Sequence, residues 1–96
     1  MISRDNIILK LKELKPFLHQ EYAVREIGLF GSFSEETHTE DSDIDILVVL
    51  ERPIGWKFFS LELYLEQIFN RKIDLVTKNA LRKQIKDKIL NQVQYA

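Results

Sequence analysis

Apolar and polar positions alternate first with the period of a helix and then with that of strands. From Ser3 to about Tyr22, apolar residues recur at three- and four-residue steps, a spacing typical of a helix that buries one face: Ile7, Leu11, Leu14 and Leu18. Ser3 or Asp5 could cap the start of this helix. Pro16 removes a backbone donor inside it, so we expect a kink or a helix restart at that position.

Three short apolar runs predict strands. Val24–Phe30 is the first and stops at Gly31. Asp43–Leu50 is the second, and beyond Asp45 both of its faces are apolar, which favours a central strand that is covered on both sides. Lys72–Val76 is the third and shortest.

Two further helices follow from the same periodicity. Pro53 and Gly55 mark a turn, after which Lys57–Asn70 carries one apolar stripe. Thr77 could cap a last helix, in which apolar residues follow four-residue steps: Leu81, Ile85, Ile89 and Val93. The order helix, strand, strand, helix, strand, helix predicts an α/β (α+β) fold with a small mixed sheet flanked by helices.

Composition narrows the class of protein. With 96 residues, we expect one domain over residues 1–96, and 45% hydrophobic with 30% charged residues is ordinary for a globular chain. The net charge of −1 does not call for a nucleic acid or an anionic membrane as partner. Without cysteine, disulfides and thiolate metal sites are excluded. No apolar run approaches a membrane span, so we expect a cytoplasmic protein.

Three carboxylates are the strongest candidates for chemistry. Asp43 and Asp45 are two apart on a predicted strand and therefore point to one face. At about 5 Å and an effective dielectric near 20, their repulsion is roughly 3 kcal/mol, which a cation would relieve. Oxygen-only ligands favour Mg²⁺ or Mn²⁺. If the strand that carries Asp74 lies beside them, the three acids could complete a two-metal site.

Gly31 and Ser32 end the first strand and supply a candidate phosphate site. Glycine permits close approach of backbone to phosphate, and serine at the start of a predicted helical turn (32–36) offers a hydroxyl and backbone N–H groups. A polar loop over 37–42 then leads to the acids. Gly-Ser alone occurs by chance and Asp-x-Asp alone is weak, but together they predict a cradle for a triphosphate and a metal ion.

The segment GLFGSFSEETHTEDSDIDILVVL resembles the signature of the DNA polymerase β-like nucleotidyltransferase superfamily, which kanamycin nucleotidyltransferase shares. In that signature Gly-Ser is followed after about ten residues by Asp-x-Asp, and here ten residues, Phe33 to Ser42, separate the two. The segment KIDLVTKNALRKQIKDKILNQVQYA resembles the remainder of the minimal nucleotidyltransferases, in which a third Asp lies on a later strand.

The resemblance implies a fold, a reaction and a partner. Asp43, Asp45 and Asp74 would bind Mg²⁺, two ions in the family pattern, and Gly31-Ser32 would hold the phosphates of ATP. Many minimal members resemble antitoxins that inactivate an HEPN-domain toxin, typically an RNase, by transferring AMP from ATP to one of its tyrosines. The chain would then be a protein adenylyltransferase antitoxin that pairs with its toxin or with itself. Asp74 is the first choice for the general base.

One departure from the family leaves a second function open. Members often carry a basic residue and a glycine where this chain has Glu35 and Glu36, and two acids beside a triphosphate are unfavourable. A non-catalytic antitoxin that neutralises its toxin by direct complex formation therefore stays in contention. Nucleotidyl transfer to a small molecule is disfavoured because 96 residues leave no second domain to enclose the acceptor.

Several other residues have two interpretations. His38 is either a solvated loop residue or a contact to nucleotide or acceptor, whereas His19 is expected at the surface. Tyr95 is expected in a frayed terminus, with docking to a partner as the alternative. Trp56 and its neighbours Phe58 and Phe59 are expected in the core, with a partner-facing patch as the alternative. The last basic run is either a solvated face or a contact to partner or triphosphate: Lys78, Arg82, Lys83, Lys86 and Lys88.

Overall fold

The structure, a computed structural model, describes residues 2–96 as helices packed on a mixed sheet, which confirms the predicted fold class. The helices are α1 (Arg4–Tyr22), α2 (Gly31–Ser34), α3 (Lys57–Phe69) and α4 (Lys83–Gln92). The strands are β1 (Val24–Phe30), β2 (Ile44–Leu50), β3 (Ile73–Thr77) and β4 (Gln94–Tyr95), and a 3₁₀ turn occupies Lys78–Ala80.

The strand order is β3-β2-β1-β4, so β1 and β2 are central. β1 runs antiparallel to both β2 and β4, whereas β2 and β3 run parallel and are joined by the crossover helix α3. β2 is covered on both sides as predicted, because Ile46, Leu47 and Val48 are all fully buried. The parallel pairing brings the amino ends of β2 and β3 together at one edge of the molecule.

The core lies between the sheet and the two long helices α1 and α3. It is built from apolar residues of α1, α3 and one face of the strands: Ile7, Leu11, Leu18, Ile27, Leu29, Ile44, Ile46, Val48, Leu61, Leu65, Ile73 and Leu75. Burial of this set fixes the strand register, since a slip of one residue would turn every side chain to the opposite face.

α1 begins and ends at clear caps. The Ser3 side chain accepts a hydrogen bond from the Asn6 N–H, which confirms Ser3 over Asp5, and Ala23 closes the helix in the left-handed region. Of the two outcomes expected at Pro16, a kink or a restart, the restart is wrong, because one helix continues through this residue. Pro16 has no N–H group to donate to the Lys12 carbonyl one turn earlier. Both residues are exposed, so water can bond to that carbonyl instead.

The C-terminal part differs most from the sequence prediction. Thr77 ends β3 and does not cap the last helix, which begins only at Lys83 after the extended residues Leu81 and Arg82. The expected frayed terminus is wrong, because Tyr95 belongs to β4 and pairs with β1. A strand of two residues carries no periodicity that the sequence could reveal.

Gly28 explains why β4 can lie against β1. A Cβ atom at Gly28 would lie 2.7 Å from Val93 Cγ2 and 3.1 Å from the Gln94 carbonyl oxygen. The close approach of the two backbones therefore depends on the missing side chain.

The aromatic cluster after Gly55 is divided between core and surface. Phe58 packs against the core, but Trp56 is 85% exposed and Phe59 55% exposed, so the core prediction is wrong for those two. They lie on the face of the α3 segment that turns away from the buried Leu61 and Leu65. Across residues 2–96, none of the helices is both long enough and apolar enough to span a membrane.

Candidate active site

Asp45 and Asp74 are register partners on the parallel strands β2 and β3, and their side chains lie within hydrogen-bonding reach of each other. Asp43 comes immediately before β2, with a 46% exposed side chain, and its charge acts on Asp45. The structure thus brings the three sequence-predicted acids together at the amino ends of the two strands.

The electrostatics of the cluster are unfavourable without a cation. Burial raises the pKa of Asp45 to about 6, and the negative charges of Asp74 and Asp43 and the hydrogen bond to Asp74 act in the same direction. Such a set of oxygen ligands fits Mg²⁺ or a similar hard cation. Among residues 2–96, the structure shows no group of three such side chains already arranged around one metal position.

Gly31 lies where the Gly-Ser and Asp-x-Asp parts of the sequence motif come into contact. It adopts φ +74, in the left-handed region, and a Cβ atom built on it would overlap Asp45 Oδ2. The preceding residue Phe30 is the register partner of Asp45 across β1 and β2. The proposed phosphate residue and the central acid are therefore in direct contact, although 14 positions separate them in the chain.

Gly31 and Ser32 line a cleft of about 340 Å³ between α2 and α4. Its α2 side also includes Phe30 and Glu35, and its α4 side is formed by Ile85, Lys88, Ile89 and Gln92. Of the two acids that depart from the family pattern, Glu35 faces this cleft. Glu36 instead pairs with Arg4 of α1, with Arg4 Nη2 3.4 Å from Glu36 Oε1.

Arg71 organises the loop that links Ser32 to Asp43, and no sequence pattern indicates this role. Its Nη1 donates hydrogen bonds to the backbone carbonyls of Glu40 (2.7 Å) and Ser42 (2.8 Å). Its guanidinium also lies 5.4 Å from the centre of the Phe33 ring. Because Ser42 directly precedes Asp43, these hydrogen bonds from Arg71 hold the backbone at the point where β2 begins and where Asp43 lies.

His38 packs in the same loop and is not the solvated residue that we expected. Its ring stacks on Phe33 with centroids 4.1 Å apart and an interplanar angle of 12°. Its Nδ1 is buried and has no hydrogen-bond partner among the residues that the structure describes. The Phe33 ring is fully buried in the core, and its contact with His38 thus attaches the loop to the core.

Asp74 lies on an edge strand, and side chains of α3 bond to the backbone N–H groups of its two neighbours. Glu66 Oε2 accepts from the Ile73 N–H (3.3 Å), and Glu62 Oε2 accepts from the Leu75 N–H (3.4 Å). These side chains protect the edge from pairing with another strand and hold the backbone on both sides of Asp74.

We expect Arg71→Lys to slow the reaction of this site about tenfold, because one ammonium cannot reproduce both charge-assisted hydrogen bonds of the guanidinium at about 1.5–3 kcal/mol each. Steady-state rates and the melting temperature would be compared with those of Arg52→Lys, a charge-preserving change in the exposed turn after β2. A rate equal to that of the Arg52 variant would show that Arg71 does not position Asp43.

Comparisons with known proteins agree with this geometry. The family model of the nucleotidyltransferase domain matches residues 11–96. The protein adenylyltransferase MntA of Thermococcus cleftensis is 41% identical over 96 residues, covering 99% of this chain and 97% of that protein.

Two solved structures share the fold. One is described as a minimal nucleotidyltransferase and superposes with a TM-score of 0.80 at 23% identity, covering 97% of this chain and 95% of that one. The other contains a tri-AMPylated HEPN toxin of Shewanella oneidensis in complex with an MNT antitoxin. It superposes with a TM-score of 0.66 at 21% identity, covering 91% of this chain and 68% of that one.

Proposed function

Because this chain belongs to the nucleotidyltransferase domain family, we propose that it inactivates an HEPN-domain toxin by transferring AMP from ATP to a tyrosine of that toxin. AMP transfer itself is the activity for which the T. cleftensis relative is named. The identity of the acceptor is our proposal. The observation that carries it is the position of Asp45, whose carboxylate lies against Gly31 and within hydrogen-bonding reach of Asp74.

In this proposal each site residue has a defined task. Asp43, Asp45 and Asp74 hold Mg²⁺, two ions in the complete site, and Gly31-Ser32 hold the triphosphate of ATP. When bound, Mg²⁺ would polarise the α-phosphate and balance charge on the leaving pyrophosphate. The raised pKa of Asp45 supports this assignment, because burial and the neighbouring charges of Asp74 and Asp43 disfavour its ionised form, which a bound cation would stabilise.

The reaction forms one bond and breaks another at the α-phosphorus. The tyrosine oxygen attacks, the bond from the α-phosphorus to the oxygen that bridges it to the β-phosphate breaks, and pyrophosphate carries away that electron pair. We assign the tyrosine proton to Asp74, because it is exposed on edge strand β3, where an incoming partner can reach it. Asp45 is less accessible, since it lies against Gly31.

The size of the cleft favours an acceptor that another protein supplies. Its volume of about 340 Å³ is at the low end of the roughly 300–1,000 Å³ found for small-molecule sites. A nucleotide would fill it, so the acceptor must approach from outside. A hetero-oligomer of this chain with its toxin meets that requirement.

The alternative is a non-catalytic antitoxin that covers its toxin. One observation favours it: Glu35 faces the cleft where the triphosphate would lie and adds a negative charge there. Lys88, on the opposite wall, offsets that charge in part.

Turnover separates the two functions. With Mg²⁺ and ATP, we expect one molecule of this protein to silence about a hundred molecules of the HEPN toxin, measured as loss of its RNase activity. Without ATP, or with Asp43→Asn, the same substoichiometric dose should leave the RNase active. Inhibition that requires equimolar protein and is indifferent to ATP and to the Asp43 change would establish the binding module instead.

A further inference from the structure

Gln92, the last residue of α4, contacts the phosphate motif at two points. The Gly31 N–H donates to Gln92 Oε1 at 2.7 Å. The Ser34 hydroxyl donates to the Gln92 backbone carbonyl at 2.5 Å. These bonds join the first and last residues of α2 to a residue about sixty positions further along the chain.

The bond to Gly31 supplies what α2 lacks at its start. The first N–H groups of a helix have no partner inside it and normally bond to a capping side chain. Here the N-cap is Phe30, which makes no side-chain cap hydrogen bond. Gln92 satisfies the first of these groups from another helix. Gly31 has no Cβ to restrict its backbone, so this bond is a main constraint on its orientation.

Gln92 is itself held on both sides. The Val93 N–H that follows it bonds to the Ile89 carbonyl at 2.9 Å and closes α4. Beyond it, β4 pairs with β1, and the Ala96 N–H donates to the Ile27 carbonyl at 2.9 Å. Lys15 Nζ of α1 donates to the Ala96 carbonyl, also at 2.9 Å. The backbone that carries the Gln92 side chain is therefore anchored in the protein without any ligand in the cleft.

We propose that Gln92 is a positioning residue, which sets the orientation of Gly31-Ser32 so that the remaining groups of that loop face the triphosphate. The proposal rests on the proposed function, because it assumes that ATP binds in the cleft between α2 and α4. It adds a residue and a mechanism to that function: the C-terminal segment of residues 92–96 braces the phosphate loop through one side-chain amide.

The test compares three variants of the full chain. Gln92→Met keeps the length of the side chain but removes the acceptor. Gln84→Met makes the same change at an exposed position of the same helix and serves as control. Gln92→Glu restores an acceptor oxygen. Two quantities are measured: hydrogen exchange of the Gly31 amide by NMR, and the Kd for the Mg²⁺ complex of a non-hydrolysable ATP analogue by calorimetry.

For Gln92→Met we expect faster exchange at Gly31 and a five- to tenfold higher Kd, about what one hydrogen bond contributes. Once ATP saturates the enzyme, its turnover number should stay within twofold, because the bond acts on binding. Gln84→Met should leave exchange and Kd unchanged, and Gln92→Glu should restore the protection of Gly31. The melting temperatures of the two Met variants should agree within a few degrees.

Unchanged exchange and Kd in Gln92→Met would overturn the proposal, and so would a Gln92→Glu variant in which Gly31 stays unprotected. A fall in turnover number and melting temperature at unchanged Kd would assign Gln92 a structural role only and would also overturn it. If the unaltered protein binds no analogue, the proposed function fails. The exchange measurement distinguishes that case, because it reports the Gly31–Gln92 bond without any nucleotide.

Discussion

Replacing Asp45 with Asn is expected to abolish AMP transfer and, in the absence of metal, to raise the melting temperature. Asp45 lies between two other acids, and burial together with their charges raises its pKa to about 6. Asn keeps the shape but removes the charge that a metal needs. Loss of several kcal/mol of metal-dependent stabilisation corresponds to a rate at least about 10³-fold lower.

The gain in stability should depend on pH with a defined sign. In the unfolded chain Asp45 loses its proton near the ordinary aspartate pKa of 3.8, but in the native protein it does so only near a pKa of about 6. Between these values the native state binds more protons, so its free energy of unfolding falls as pH rises through this window and stays low above it. The Asp45→Asn variant has no carboxylate at this position, so its free energy of unfolding does not fall in this way.

The advantage of the Asn variant should therefore be absent below about pH 4 and complete above about pH 6. Because the side chain is about half exposed, we expect a gain on the order of 1 kcal/mol, or a few degrees in melting temperature. Adding Mg²⁺ should stabilise the unaltered protein and not the variant, since only the former binds it tightly.

Thermal unfolding between pH 4 and 8, with and without Mg²⁺, measures both effects. Asp41→Asn is the matched control, because Asp41 is an exposed acid in the loop that precedes β2. A variant at Asp45 that melts lower than the unaltered protein at pH 8 without metal, or that still transfers AMP at full rate, would refute the repulsive three-acid site.

Gly31→Ala has the second largest expected effect, because it combines backbone strain with a clash. At φ +74 an alanine costs roughly 1–2 kcal/mol, and its Cβ would overlap Asp45 Oδ2. The carboxylate or the loop must move, and either movement separates the phosphate residues from the acids. We expect about 2–4 kcal/mol lower stability and at least a hundredfold lower rate of transfer.

Gly55→Ala provides a control with the strain but without the clash. Gly55 also has a positive φ, +57, yet a Cβ there would meet no atom within 4 Å. Denaturation in urea should show a loss of about 1 kcal/mol for Gly55→Ala, with AMP transfer unchanged. If the two variants lost equal stability and equal activity, the contact between Gly31 and Asp45 would have no special role.

The sequence was sufficient for the parts of the site that have a period or a motif. The apolar continuation after Asp45 predicts a central strand. The sequence left open whether the strand that carries Asp74 lies beside it, and the structure supplies that parallel pairing and its register. Gly31-Ser32 is recognisable through its spacing to the acids. The individual roles of these residues remain proposals.

The missed parts depend on single contacts between distant residues. Arg71 acts through backbone carbonyls about thirty positions away, and Gln92 through one amide about sixty positions away. Neither contact has a periodic signature. The hydrophobic side chain of Trp56 predicts a position in the core. This prediction fails because hydrophobicity does not indicate which side of a turn faces the sheet. The 85% exposure of Trp56 follows only from the direction of α3.

Transfer of label from ATP carrying radioactive α-phosphate tests the central claim most directly. The protein would be incubated with Mg²⁺, this ATP and the proposed HEPN toxin, beside Asp43→Asn and beside a toxin whose candidate tyrosine is replaced by Phe. We predict label on the toxin only when both Asp43 and that tyrosine are intact. A toxin that stays unlabelled, or is labelled equally by Asp43→Asn, would contradict a metal-dependent protein adenylyltransferase built on the three acids.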